Sequence, residues 1–251
     1  MQLTKLILIL GLATSSSYAA IALDSSSGTF VASGNLSFKD TVVASGCMCY
    51  VCFANEGTAA PTTATFDGNN MTLVSSSVVY DYTYLYKYAN PGTGAKTIAV
   101  TWTNTNPAAA ASICFTGANT TTDKDAVGRG TGTTSPTSDS VAVNVANEAT
   151  VDCIFSDPEF TTGPTQTGGQ KIIVNINDAV NGQAIAMSSA TWTTTGTKTL
   201  TYTFTGTSIQ WTALSQSIAV AAGGTTYVPR NMGMAIKGGE TKIMGGETKI
   251  Q

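Results

Sequence analysis

Polar and apolar residues alternate along most of this chain, and where alternation stops the apolar residues form short unbroken runs. In no window of about a dozen residues do they follow a helical period. Side chains at i and i+2 of an extended strand share a face, so the pattern predicts strands. They fall at 19–24, 28–33, 35–43, 47–54, 63–67, 71–75, 78–89, 95–103, 109–116, 140–146, 149–156, 171–176, 183–188, 198–206 and 209–220. Gly, Asn, Asp and Pro separate them. Asp67-Gly68-Asn69-Asn70 predicts a hairpin turn between TATF and MTLV, and Asn90-Pro91-Gly92 stops the strand at 78–89. Many short, evenly spaced strands predict an all-β fold, an antiparallel β-sandwich of jelly-roll or Ig-like type.

Two strands carry ladders. Tyr80, Tyr82, Tyr84, Tyr86 and Tyr88 share one face of their strand, with Asp81, Thr83, Leu85 and Lys87 on the other. Asp81 and Lys87 prefer water, which points the tyrosines toward the core, the end rings Tyr80 and Tyr88 being the most exposed. The alternative is a display surface, a stacking platform for sugars or an adhesive patch for another subunit. The second ladder, Thr197, Thr199, Thr201, Thr203, Thr205 and Thr207, alternates with Leu200, Tyr202 and Phe204, which predicts a solvated threonine face over a buried apolar one. An ice-binding array needs a flat sheet, and sandwich sheets twist. Lys96–Asn106 and Lys198–Ser208 resemble each other at an offset of 102 residues. Two readings stay open: an internal repeat with one copy in each half, or convergence of two half-exposed strands.

Charge narrows the functional classes. The chain is only 11% charged, with 12 Lys/Arg against 15 Asp/Glu, and residues 20–222 hold seven against 13. No basic stripe is present to neutralise phosphates, so nucleic-acid binding is not expected. There is no histidine, which removes the Ser-His-Asp, Cys-His and HExxH chemistries from this chain. The acidic groupings are Asp123-Lys124-Asp125 and the set Asp152, Asp157 and Glu159. A calcium site needs about six oxygen ligands and a glycosidase two carboxylates flanking a cleft. Solvated loops at 123–139 and 157–170 are the simpler expectation, with no cofactor, no metal and no catalytic centre.

The two ends differ from the middle. Lys5, the apolar run Leu6 to Ala13 and Ser17-Tyr18-Ala19 have the layout of an export signal cleaved before Ala20. The run is too short to span a bilayer, and no other segment is long enough. The other reading keeps residues 1–19 as a structural apolar segment. Residues 20–222 form the sandwich domain, and 223–251 a Gly-rich tail that repeats Gly-Gly-Glu-Thr-Lys-Ile at 238–243 and 245–250, expected to be flexible. Cys47, Cys49, Cys52, Cys114 and Cys153 all lie in apolar, strand-like runs; Cys47 and Cys49 share a face and Cys52 points the other way. They lack the paired spacing of a zinc site and are expected to be buried. A cross-strand disulfide among Cys49, Cys114 and Cys153 is open if their strands are neighbours, and the odd count leaves one thiol over.

FDGNNMTLV, YLYKYANPGTGAKTIAVTWT and CFTGANTTTDKDA follow one another in that order. Together they resemble a β-sandwich module of bacteriophage structural proteins and secreted bacterial surface proteins. In that module a YGG-LTLV-like hairpin precedes a strand ending in an Asn-Pro-x-x-Gly turn, then a Val/Thr strand and an FSG-V-type strand leading to a TTPLD-like loop. The resemblance covers about residues 20–220; the tyrosine ladder and the cysteines depart from it. It implies a fold and carries no catalytic residues, since sandwiches host many functions. The expected product is a non-catalytic virion structural protein at the virion surface, a capsid decoration or fibre-like appendage that associates with itself or with other particle subunits. Unpaired cysteines would suit its assembly in a reducing cytoplasm. The alternative is an exported adhesin or carbohydrate-binding protein, secreted or on a cell surface, with Trp102, Trp192, Trp211 or the tyrosine ladder stacking on a glycan.

Overall fold

A computed structural model describes residues 20–57, 59–79, 82–120, 127–133, 137–157, 162–166, 169–178, 182–205, 210–221, 235–237 and 240–242. The backbone divides into two units, Ala19–Ala221 and a second made of Met1–Tyr18 and Ala222–Gln251. The predicted segment 1–19 lies outside the described residues.

Among the described residues, seventeen strands build the larger unit. The first half holds β1 (Ala22–Val31), β2 (Leu36–Val42), β3 (Met48–Asn55), β4 (Thr63–Phe66), β5 (Asn69–Asn70), β6 (Thr72–Ser77), β7 (Tyr82–Ala89), β8 (Gly94–Thr101) and β9 (Ala108–Thr116). The second holds β10 (Val127–Gly132), β11 (Thr137–Val143), β12 (Ala149–Asp157), β13 (Thr162–Gln166), β14 (Lys171–Asp178), β15 (Gln183–Thr191), β16 (Gly196–Thr205) and β17 (Gln210–Ile218). In the smaller unit, β18 (Ala235–Lys237) pairs antiparallel with β19 (Glu240–Lys242), inside the tail expected to be flexible.

The two halves wind identically. The first has a five-stranded sheet β1-β9-β3-β7-β6 and a smaller sheet β2-β8-β4-β5; the second has β10-β17-β12-β15-β14 and β11-β16-β13. Leaving out the two-residue β5, each half has eight strands. The first pairs with the last, the third lies between the last and the sixth, and the second pairs with the seventh. That is a jelly-roll winding. The similar segments at 96–106 and 198–208 begin in β8 and β16, the same strand of each copy. The region expected as the sandwich domain, 20–222, is one compact unit, Ala19–Ala221, within which this winding occurs twice.

The large sheets pack face to face, giving four layers. Tyr50, Cys52, Leu85, Ile113 and Phe115 meet Val151, Cys153, Ile185, Met187 and Leu214 in a central core. Phe53, Phe66, Ile98 and Val100 belong to a core between the first inner and outer sheets. Ile154, Ala186, Tyr202 and Trp211 belong to its counterpart in the second half. This explains the unbroken runs. Every residue of β3 is buried, and all of β9 and β12 except the last, because both faces of an inner sheet are covered. The outer strand β2 alternates strictly between buried and exposed.

Three local predictions need correction. The expected strands 19–24 and 28–33 are the single strand β1. Gly28 does not interrupt it, because the space is needed: a methyl there would meet Ile176 Cγ1 at 2.9 Å and Val174 Cγ1 at 3.0 Å. β10 and β13 lie in segments expected to be loops. Their sequences, VGRGTG and TGPTQ, are too rich in Gly and Pro to read as strands, and β10 is an edge strand of its sheet, β13 of the other. The hairpin turn at 67–70 forms as expected between β4 and β5, with positive φ at Asp67 (51°) and Gly68 (79°).

Candidate functional site

The tyrosine strand is β7, fourth in the order β1-β9-β3-β7-β6 and one in from the sheet edge. Tyr80 and Asp81 lie outside the described residues. Tyr84 is buried, and Tyr82, Tyr86 and Tyr88 are half-buried. Tyr82, Tyr84 and Tyr86 run in sequence with ring centroids 6.4 Å apart. Phe53 meets Tyr86 edge-on at 5.8 Å, and Phe66 stacks on Tyr88 at 5.2 Å. Tyr86 and Tyr88 therefore pack against the outer core of the first half, with Tyr84 buried beside them and Tyr82 half-buried at the start of the strand. The reason first given for this is wrong. Lys87 does not mark a solvated face: Thr83, Leu85 and Lys87 are buried too, because the strand's other side faces the second inner sheet. Burial pushes the Tyr84 phenol up to about 12, with Tyr86 and Tyr82 adding to the effect, and raises that of Tyr86.

The threonine face behaves as expected over Thr197–Thr203; Thr207 and the side chains of Phe204 and Thr205 lie outside the described residues. Thr197, Thr199 and Thr203 are exposed and Thr201 half-buried, while Leu200 and Tyr202 are buried. The first outer sheet also shows hydroxyls: exposed Ser37, Thr41, Thr63 and Thr97, with Thr63 Oγ1 and Thr101 Oγ1 2.6 Å apart across β4 and β8. Trp102 and Trp211 are core residues. Half-buried Trp192 donates its Nε1 proton to Thr150 Oγ1 at 3.0 Å, and Lys198 sits 5.3 Å from its ring centroid.

Four of the five cysteines are bonded. Cys49–Cys114 links neighbouring β3 and β9. Cys52–Cys153 links β3 to β12 across the central core and so ties the two halves together. The first pairing is among those left open by the sequence; the second was not foreseen. Cys47 is free and buried, its thiol pushed up to about 11 by burial and then by the Asp24 carboxylate. The notion of free cysteines suited to a reducing compartment does not survive the two disulfides.

The acidic residues regroup as well. Asp123, Asp125 and Glu159 lie outside the described residues. Asp152 is not beside Asp157, which lies five residues on and alternates to the opposite face of β12. Asp152 instead sits in a cross-strand row of the second inner sheet, Gly128–Ser215–Asp152–Ser188. Facing it from the outer sheet are Asp139 on β11 and Tyr202 on β16. Asp152 Oδ1 accepts a short hydrogen bond from Ser188, and Asp139 Oδ1 accepts one from the Ser140 amide at 2.6 Å. Oδ2 of each carboxyl has no hydrogen-bond partner among the described residues. Both carboxyls are pushed up to about 6 by burial, against opposing hydrogen bonds from Ser215 to Asp139 and from Ser188 and Tyr202 to Asp152. Burial, then the Asp152 charge, raises the Tyr202 phenol well above its usual range. The sequence reading missed this cluster because Asp139 fell at the end of a presumed loop. The inward register Asp139, Val141, Val143 was the available signal.

Among the described residues no group of three or more His, Cys, Asp or Glu is placed to hold a metal ion, and no helix is long and apolar enough to cross a membrane. A shallow groove of about 150 Å³ opens where β1 and β9 meet β14 and β15, between Ile21, Leu23, Phe115, Lys171 and Ile173. Buried Asn55 clasps one end of the first half, receiving Asn104 Nδ2 at 2.8 Å and donating to the carbonyls of Asn106 and Pro107. Compared with known proteins, the chain matches no family model, no curated protein and no solved structure.

Proposed function

We propose that this chain is a non-catalytic structural protein of a virion, a capsid decoration or a component of a fibre-like appendage, acting by surface contact and self-assembly. The observation that carries the reading is how the side chains are distributed. The described tyrosines other than Tyr82, the clustered carboxyls and two of the three tryptophans are buried in or packed against the cores of a four-layer stack. What remains outside is chiefly hydroxyl-bearing sheet face and sheet edge. Such a body offers contact area and rigidity rather than a reactive centre. Subunit contacts would use the edge strands β1, β6, β10 and β14, whose unpaired backbone groups are natural templates for a neighbour. Copurification of the chain with particles in fixed stoichiometry is the expected result. Particles purified to homogeneity without the chain would overturn the reading.

The alternative keeps one observation in its favour. Two disulfides persist most readily in an oxidising setting, which suits an exported surface protein. The glycan platform first imagined for it, the tyrosine ladder, is weakened by the packing of Tyr84, Tyr86 and Tyr88 against the first outer core. Selective glycan binding lost on changing half-buried Trp192, in a product whose N-terminus is Ala20, would favour this reading over the virion protein.

A further inference from the structure

The second half keeps two carboxyls where a packed core ordinarily holds none, and the proposed function does not use them. Asp139 and Asp152 lie on facing sheets with at most 2% of their surface exposed. Every element packed around them can be named. β10 contributes Gly128, β17 Ser215, β12 Asp152 itself, β15 Ser188, β11 Asp139 and Val141, and β16 Leu200 and Tyr202. β10 approaches so closely that a methyl on Gly128 would meet Ser215 Oγ at 2.3 Å and Asp139 Oδ1 at 2.8 Å. No cation among the described residues faces the pair. Arg129 is exposed and alternates to the other side of β10. Lys198, toward the start of β16, is engaged with Trp192 and donates to Thr194 Oγ1 at 2.9 Å. Side-chain groups of β13 lie outside the described residues.

A carboxylate in such a place is poorly solvated, and two of them repel each other. A carboxyl that keeps its proton has neither problem, and its O–H can supply a hydrogen bond to an oxygen that otherwise lacks one. We infer that Asp139 and Asp152 form a proton-operated latch between inner sheet β10-β17-β12-β15-β14 and outer sheet β11-β16-β13. Protonated, the pair lets the sheets stay seated. When the O–H bonds break and the protons leave to water, the charged pair favours local opening of the outer sheet. Both carboxyls titrate near 6, above the ordinary aspartate value of 3.8. The sign follows from that rise: the folded state holds protons that the unfolded state gives up, so the stabilisation is complete below about pH 4 and is lost as pH rises through about 6. The latch is closed in mildly acidic medium and loosened at neutral pH.

The first half is a control inside the same molecule. Its corresponding row, Ser27–Ser112–Val51–Tyr86, carries no carboxyl, and among the described residues one buried aspartate faces it, Asp40 of β2, whose Oδ2 accepts from Ser112 Oγ at 2.7 Å, so this half holds a single hydrogen-bonded carboxyl where the second holds a facing pair. Hydrogen exchange of the full chain, corrected for intrinsic rates, should be compared at about pH 4.5 and about pH 7.5 for β16 and its counterpart β8. Protection of β16 should fall more than that of β8, by up to about a hundredfold for each of the two carboxyls, as two pKa units imply. In an Asp139→Asn/Asp152→Asn protein the two strands should respond alike. Equal responses of β8 and β16 in the natural protein, or an unchanged pH effect in the double variant, would overturn the latch. If the double variant does not fold, carbon-13 titration of the natural protein decides, with assignments from single Asn variants. Asp139 and Asp152 carboxyl midpoints near 6 support the latch, and midpoints below about 5 for both reject it.

Discussion

Where β3 of the first half carries Val51, β12 of the second carries Asp152; where β7 carries Tyr86, β15 carries Ser188. The register of the outer sheets extends the comparison. Counting back from Gly94 and Gly196, Phe38 of β2 corresponds to Asp139 of β11, and Val100 of β8 to Tyr202 of β16. The first half fills its outer core with apolar and aromatic bulk from both sheets. At this site the second places Tyr202 opposite small and acidic groups, the rest of its bulk coming from Ile154 and Trp211. One feature is shared: Ser112 and Ser215, at the same site, each face an aspartate of the second strand. Ser112 Oγ donates to Asp40 Oδ2 at 2.7 Å, and Ser215 lowers the Asp139 pKa against the effect of burial. The halves teach that the winding depends on strand pairing and on which face is apolar, while the side chains filling a given site can differ in size and polarity.

The sharpest test of that contrast exchanges residues. Val51→Asp places an uncompensated carboxylate in the apolar core and should cost about 5 kcal/mol at neutral pH, read from urea unfolding. The reciprocal Asp152→Val should be near neutral there, since it removes a poorly solvated charge. Equal effects of the two changes would mean that the cores are electrostatically alike. Next comes the tie between halves. Cys52→Ala/Cys153→Ala opens a loop of sequence separation 101 and should lower stability by about 4 kcal/mol, measured by the same unfolding curves in non-reducing buffer. A loss well under about 1 kcal/mol would show that the central core alone holds the halves together.

The pH contrast follows in size. Each buried carboxyl, raised to about 6, gives stability in acid that is lost as pH rises from about 4 through 6, about 3 kcal/mol per group for two units. Thermal midpoints across that range should fall for the natural protein and flatten in the Asp139→Asn/Asp152→Asn variant. The smallest effects belong on the outer faces. Thr97→Lys in the first half and Thr199→Lys in the second should each shift stability by no more than about 0.5 kcal/mol, because both side chains stand in water. A larger shift at one of them would reveal a face that is covered in the protein's working state.

The sequence by itself determined the strands, and it did so most clearly in the outer layers. Alternation in β2 and β16 assigns each residue to a face, because one side meets water and the other does not. Asp67-Gly68 specifies its turn because only such residues accept positive φ cheaply. The similarity of 96–106 to 198–208 already held the trace of two equivalent strands. Stacking, however, was decided by tertiary structure. An inner strand with both faces covered, such as β3 or β12, loses its alternation, so its sequence cannot say which neighbour lies on which side. That is why Lys87 misled, why Cys52 found a partner 101 residues away, and why the acidic pair went unseen. Asp139 and Asp152 meet only because two sheets fold over each other, and proximity across layers is a property of packing that no local pattern records.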